Sequence, residues 1–204
     1  MAGWSTMDRD AGIAVKKAAM RAMMISSRRS LPEISRCGMS RMIAGYVVGM
    51  PEIVNARHIH LYLSISDKAE VSTAPLLDEL VAMGKILSVP VIRKSDLLSA
   101  VFRQGEPLKA AQFGQPEPEV VALADESRLD VVLLPLLAFD RRGYRIGYGK
   151  GFYDRFLSRL AREGINPFRI GLAFSSQMVE EVPADPWDEP LDGVVHEHGI
   201  IRFT

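Results

Sequence analysis

The run Arg145-Ile146-Gly147-Tyr148-Gly149-Lys150-Gly151-Phe152-Tyr153-Asp154 sets glycines on alternate positions around one lysine, just ahead of an apolar pattern with helical spacing. Such a segment is suited to holding phosphate. Glycine lacks a Cβ, so its backbone can bend through left-handed angles and approach a ligand closely, while the first amides of a helix are unpaired donors at its positive end. Lys150 adds a full charge, and Asp154, in the first helical turn, could share a divalent cation with the same phosphates. The spacing is neither that of Walker A nor that of a dinucleotide fold, so an ordinary strand-to-helix turn competes with the phosphate reading.

Other residues offer weaker chemistry. Lys17 and Arg21 are four apart and share a helix face, which by itself describes a solvated basic face. His58 and His60 alternate along an extended segment without ligand-type neighbours, and are read as strand-face residues rather than metal ligands or bases.

The elements that must position these groups alternate between helix and strand. Residues 13–27 have helical composition, and Ser30-Leu31-Pro32-Glu33 has capping-box spacing for a second helix toward Gly49. Residues 57–65 alternate as a strand, with Ile59, Leu61, Leu63 and Ile65 on one face. Thr73-Ala74-Pro75 opens a helix that Gly84 stops, and strands are expected over 86–92 and 96–103. The irregular stretch from Gly105 to Pro118 is expected to wall a pocket. A buried strand over Asp130 to Pro135 and a polar turn at 139–143 lead to the glycine loop, then a helix over 152–163, a strand over 169–174 and short final strands near Val194 and Ile201.

This order predicts an α/β fold: a single layered domain over residues 1–204 with a mostly parallel central sheet flanked by helices, residues 1–12 forming a flexible N-terminal segment. Ligands in such folds gather at the carboxyl ends of the strands, so the loops after Ile65, Pro90, Pro135 and Ile146 should share one cleft. Strand order is not legible.

Composition narrows the function classes. The 204 residues are 48% hydrophobic, enough for a real core, and 25 basic side chains balance 25 acidic ones, so no global field points to nucleic acid. A small-molecule ligand is expected instead. The single cysteine, Cys37, excludes an internal disulfide and fits a reducing, cytoplasmic setting. The longest apolar run, 131–139, contains Pro135 and is shorter than the roughly 18 residues of a membrane span, so no membrane partner is expected. The basic, methionine-rich stretch 13–29 is not read as a targeting helix, because Asp8 and Asp10 precede it.

From Phe139 through Arg155 the chain closely resembles the 5-formyltetrahydrofolate cyclo-ligase family, also called 5,10-methenyltetrahydrofolate synthetase. Further pieces fall in the family's order over nearly the whole chain: Lys17-Ala18-Ala19-Met20-Arg21, Glu70-Val71-Ser72-Thr73, Phe113-Gly114 with Glu117-Pro118, and Val182-Pro183 with Asp188 and Asp192. The resemblance implies an enzyme that uses ATP and Mg2+ to convert 5-formyltetrahydrofolate to 5,10-methenyltetrahydrofolate, releasing ADP and phosphate through a phosphorylated formyl group. The alternative is a non-catalytic folate- or nucleotide-binding regulator on the same fold.

By that resemblance Lys150 and Arg145 act on the transferring phosphoryl group. Lys17, Arg21, Ile146, Gly147, Tyr148, Gly149, Gly151, Phe152 and Tyr153 join them around ATP. Asp154 and Asp188 hold Mg2+. Glu70 accepts hydrogen bonds from the pterin, Ile65 is an apolar wall, and Tyr148 and Tyr153 offer flat faces to a ring. An exposed loop glutamate and a packed core isoleucine are the competing readings of Glu70 and Ile65. A monomer is expected, with a homodimer left open. Ser72, Gln115 and Trp187 depart from the family pattern around the cleft.

Overall fold

The computed structural model describes residues 6–203. Helices α1 (Thr6–Ser30), α2 (Glu33–Val48) and α3 (Pro51–Asn55) lead the chain. Then come β1 (His58–Leu61), α4 (Ala74–Ala82), β2 (Ile86–Arg93), β3 (Asp96–Phe102), β4 (Leu108–Ala110) and β5 (Pro116–Pro118). The remainder is β6 (Val131–Pro135), β7 (Ala138–Phe139), β8 (Arg145–Ile146), α5 (Phe152–Arg162), β9 (Phe168–Leu172), β10 (Gly193–His196) and β11 (Gly199–Arg202).

One seven-stranded sheet runs in the order β11-β10-β9-β6-β1-β2-β3. Its five inner strands are mutually parallel, and β3 and β11 close the two edges as antiparallel hairpin partners. β6 is the central strand and β1 lies between it and β2, with Ile59 opposite both Leu87 of β2 and Val131 of β6.

Helices cover both faces, so the inner strands must be apolar on both sides. β6 shows this: Val131 and Leu133 face the layer of α2 and α4 with Ile43, Val47, Leu76 and Leu80, while Val132 and Leu134 face α5 with Phe156, Leu157 and Leu160. The alternation follows from the period of two along a strand, and each of these β6 residues is at most 1% exposed. A third apolar cluster, Met24, Leu137, Ala138, Ile146 and Val182, seats α1 across the short β7–β8 ribbon.

Several local expectations change. The strand expected over 57–65 stops at Leu61, and the chain then turns through a 3-10 segment, Ser66–Lys68, with Ala69 left-handed at φ 52°. The expected capping box is not formed: Pro32 is the N-cap of α2, and the Ser30 hydroxyl bonds back to Ser27 O at 2.7 Å. Thr73 precedes α4 as expected, but its hydroxyl accepts from Ser64 N at 3.2 Å instead of capping the helix. Of the leading segment 1–12, residues 1–5 lie outside the described residues, and α1 begins at Thr6. No helix among the described residues is long and apolar enough to cross a membrane.

Candidate active site

A cavity of about 520 Å3 opens at the carboxyl ends of β1, β2 and β6. It is floored by Tyr62, Leu63, Pro90, Ile92 and Pro135, and the glycine loop with the start of α5 forms one side. Lys17, Arg21, Ile65, Glu70, Asp154, Asp188 and every residue from Arg145 to Tyr153 singled out from the sequence line this one space. The long connection supplies a further wall through Phe113, Gln115 and Pro116, with Phe113 against Phe152 of the glycine-loop side. One detail differs: Pro90 lies inside β2, which continues to Arg93, rather than ahead of a loop.

On the glycine-loop side the backbone explains the residue choice. Gly149 and Gly151 have φ of +84° and +64°, and a Cβ on Gly149 would sit 2.9 Å from the Arg21 guanidinium carbon. A side chain at either position is therefore strained, and one at Gly149 would also push the Arg21 guanidinium aside. Arg21 donates to Gly147 O at 3.1 Å, which ties α1 to the loop. Gly151 is the N-cap of α5, so the amides of its first turn open toward the cavity.

The cations here are held differently. The Lys150 side chain is exposed, its ammonium makes no hydrogen bond or ion pair among the described residues, and it lies 5.6 Å from the centre of the Phe113 ring. Arg145 is almost buried; it donates to Glu189 O and pairs with Asp154 Oδ1 at 2.7 Å. Lys17 is only 8% exposed, which replaces the solvated-face reading, and it bridges Asp185 at 2.6 Å and Asp188. Burial pulls its pKa down, but the two carboxylates outweigh burial and the net shift is upward.

The other side is drier. Glu70 is 8% exposed, not an open loop residue, and accepts from Ile65 N at 2.7 Å and from the Tyr148 hydroxyl at 2.9 Å. Burial raises its pKa against the lowering pull of those two bonds and of the Arg28 and Lys68 charges. Lys68 lies 4.6 Å from the centre of the Tyr148 ring and donates to Phe113 O at 3.1 Å. The Tyr153 hydroxyl is buried without a partner among the described residues.

His60 stays out of the cavity, as the strand-face reading had it. It is fully buried, touches Ser99 Oγ at 3.0 Å, and packs against Tyr153 and Phe156. Burial, with a smaller contribution from His58, depresses its pKa to about 3.

Sequence reasoning missed Asp185, Lys68 and Arg28. Asp185 carried a readable signal, being one turn before Asp188 in a stretch rich in acids. Of the departures from family pattern, Gln115 and Trp187 do line the cavity, whereas Ser72 is turned to α2, its amide bonded to Ser40 Oγ.

No cluster of three or more metal-ligating side chains occurs among the described residues. The donors present nevertheless fit a magnesium ion that brings its own ligands, since such an ion keeps water and phosphate oxygens and takes only one or two carboxylates. Asp154, with Oδ2 unbonded among the described residues, and Asp188 are of that kind.

The model of the 5-formyltetrahydrofolate cyclo-ligase family matches residues 13–197. The 5-formyltetrahydrofolate cyclo-ligase of Escherichia coli K12 is 32% identical, over 85% of this chain and 96% of that protein. The Mycolicibacterium smegmatis enzyme of the same name is also 32% identical, over 92% of this chain and 97% of its own length. Among solved structures, the Aquifex aeolicus 5,10-methenyltetrahydrofolate synthetase superposes with a TM-score of 0.79 at 31% identity, covering 91% of this chain and 92% of that one. With the match extending over the fold and through all the walls of the cavity, the chain belongs to the 5-formyltetrahydrofolate cyclo-ligase family.

Proposed function

We propose that this chain converts 5-formyltetrahydrofolate to 5,10-methenyltetrahydrofolate at the expense of ATP. The observation that carries the reading is the pairing, within one cavity, of an unneutralised lysine on a glycine loop with a buried carboxylate among aromatic rings. The lysine suits a polyphosphate, and the carboxylate suits a ring that presents N–H donors.

The chemistry requires the formyl oxygen to become a leaving group, because an amide oxygen is a poor one. Its oxygen attacks the terminal phosphorus of ATP, the bond to ADP breaks, and the formyl carbon becomes electrophilic. N10 of the folate then attacks that carbon, its proton is released to solvent, and phosphate departs as the five-membered ring closes. Little covalent chemistry is asked of the protein. Lys150 and Arg145 neutralise charge on the transferring group, while the amides from Gly147 to Gly151, with Lys17 and Arg21, hold the rest of the triphosphate.

Glu70 takes hydrogen bonds from the pterin, Ile65 and Tyr153 bound it, and Tyr148 lies between ring and phosphate. Asp154 and Asp188 would hold magnesium, which would supply charge neutralisation on the phosphate oxygens. Phosphoryl transfer depends mainly on such positioning, and the fixed backbone of the loop fits it.

The test is the absorbance of the methenyl product during incubation with 5-formyltetrahydrofolate, ATP and magnesium. Product is expected only when all three are present, and chelation of the metal should abolish it. Tight binding of folate or nucleotide with a silent absorbance trace would instead favour a ligand-binding regulator.

A further inference from the structure

Arg28 is 3% exposed at the end of α1, yet no carboxylate pairs with it among the described residues. A buried guanidinium needs both hydrogen bonds and a counter-charge. Its bonds go to three separate segments. Nη1 donates to Leu136 O, just past β6, at 3.1 Å; Nη2 donates to Lys68 O at 2.6 Å and to the Tyr148 hydroxyl. The Tyr148 hydroxyl donates in turn to Glu70 Oε1 at 2.9 Å, so the counter-charge of Arg28 is Glu70, one hydroxyl away.

We propose that Arg28 is a positioning residue that locks the two sides of the cavity together, holding the Ile65–Glu70 turn and the glycine loop in register through Tyr148 so that Glu70 meets the reduced folate. This rests on the folate reading above. Without the guanidinium, the turn carrying Lys68 loses its anchor, Tyr148 loses the donor that orients its hydroxyl, and Glu70 keeps Lys68 as its remaining cation.

The charged and titratable groups that bear on Glu70 are Arg28 from α1, Tyr62 and Lys68 following β1, Tyr148 from the glycine loop and Tyr153 from α5. Burial first, then the Glu70 charge, raises all three phenols, so they are neutral donors across the working range. The Ile65 and Tyr148 hydrogen bonds and, after them, the Arg28 and Lys68 charges favour the ionised carboxylate, and Arg28 acts along a hydrogen-bonded line.

The experiment has a ligand-free arm and a folate arm. In the ligand-free protein, the Glu70 carboxyl resonance, assigned with Glu70→Gln, is titrated in the wild type and in Arg28→Met. The midpoint should rise by roughly one pH unit, the effect of removing a nearby opposite charge. In the folate arm, affinity for 5-formyltetrahydrofolate should weaken on the order of tenfold, and the acid limb of binding should move to higher pH, while affinity for magnesium-ATP stays within about twofold.

Arg28→Lys and Tyr148→Phe guard against misfolding of the methionine variant. Each should weaken folate binding, and the double variant should be no worse than the poorer single one, because both break the same line. Additive losses, or an unmoved Glu70 midpoint in a folded variant, would overturn the proposal. If the midpoint moves but the wild type binds no folate, the substrate reading fails and the lock stands. If folate binds the wild type and Arg28→Met alike with one pH profile, the lock fails and the substrate reading stands.

Discussion

The two sides of the cavity are built to opposite plans. The glycine-loop side keeps one cation, Lys150, exposed and unpaired among the described residues, whereas the Glu70 side buries its carboxylate and meets both of its oxygens with donors. A group that must follow a moving phosphoryl charge gains from being unneutralised until the ligand arrives. A group that must recognise a fixed ring gains from being immobile, since orientation established before binding lowers the cost of binding. The intermediate cases fit the same contrast. Arg145 and Lys17 lie between the two extremes, buried like Glu70 but cationic like Lys150, and each already carries a carboxylate partner.

The largest effect that would break the comparison is at Lys150. Lys150→Ala should lower kcat on the order of 100-fold or more while the thermal midpoint and folate affinity stay near wild type, as expected of a charge used mainly in the transition state. A wild-type kcat would remove that role. On the other side, Glu70→Gln should raise KM for 5-formyltetrahydrofolate by roughly tenfold or more, with KM for ATP nearly unchanged, because a buried acceptor is replaced by a group that can point a donor the wrong way. Equal changes in both KM values would mean the two sides are not distinct.

Gly149→Ala sharpens the contrast from the backbone. The added methyl meets both a φ of +84° and the Arg21 guanidinium 2.9 Å away, so a stability loss of about 1 kcal/mol is expected with weakened ATP binding and intact folate binding. Calorimetry and separate ligand titrations read these out.

The last effect, on stability alone and on neither side of the cavity, concerns the buried histidine behind Tyr153. With a folded pKa near 3 against an ordinary 6.5, His60 is neutral in the fold while the unfolded chain takes up its proton between those values. Stability should therefore fall as pH drops from 6.5 toward 3, by on the order of 1 kcal/mol per pH unit once the unfolded histidine is charged. His60→Gln should flatten that slope in denaturation at graded pH. An unchanged slope would assign acid sensitivity to other groups.

Much of the site could be read before folding because it is local. Loop 145–154 combines the special backbone, the lysine and the helix start within ten consecutive residues, and its chemistry needs little from afar. Alternation of apolar strands and helices likewise sufficed for the layered α/β architecture, since burial on both sheet faces imposes it. Local pattern failed at Ser30, and at Thr73 it found the N-cap position but not the partner of the hydroxyl. Both have capping-type hydroxyls, but one bonds back into α1 and the other takes the Ser64 amide.

Tertiary structure alone decided the strand order, the burial of Lys17 between Asp185 and Asp188, and the part played by Arg28. Lys17 and Asp188 are separated by 171 positions, and Arg28 reaches a carbonyl 108 positions away. No periodicity reports such pairings. What the linear chain determined by itself is which backbone can cradle an anion and which faces must be dry, because φ/ψ freedom and apolar spacing are properties of neighbours. Which charge ends up facing which is a property of the packed molecule, where burial drives most polar groups to partners that the chain does not place beside them.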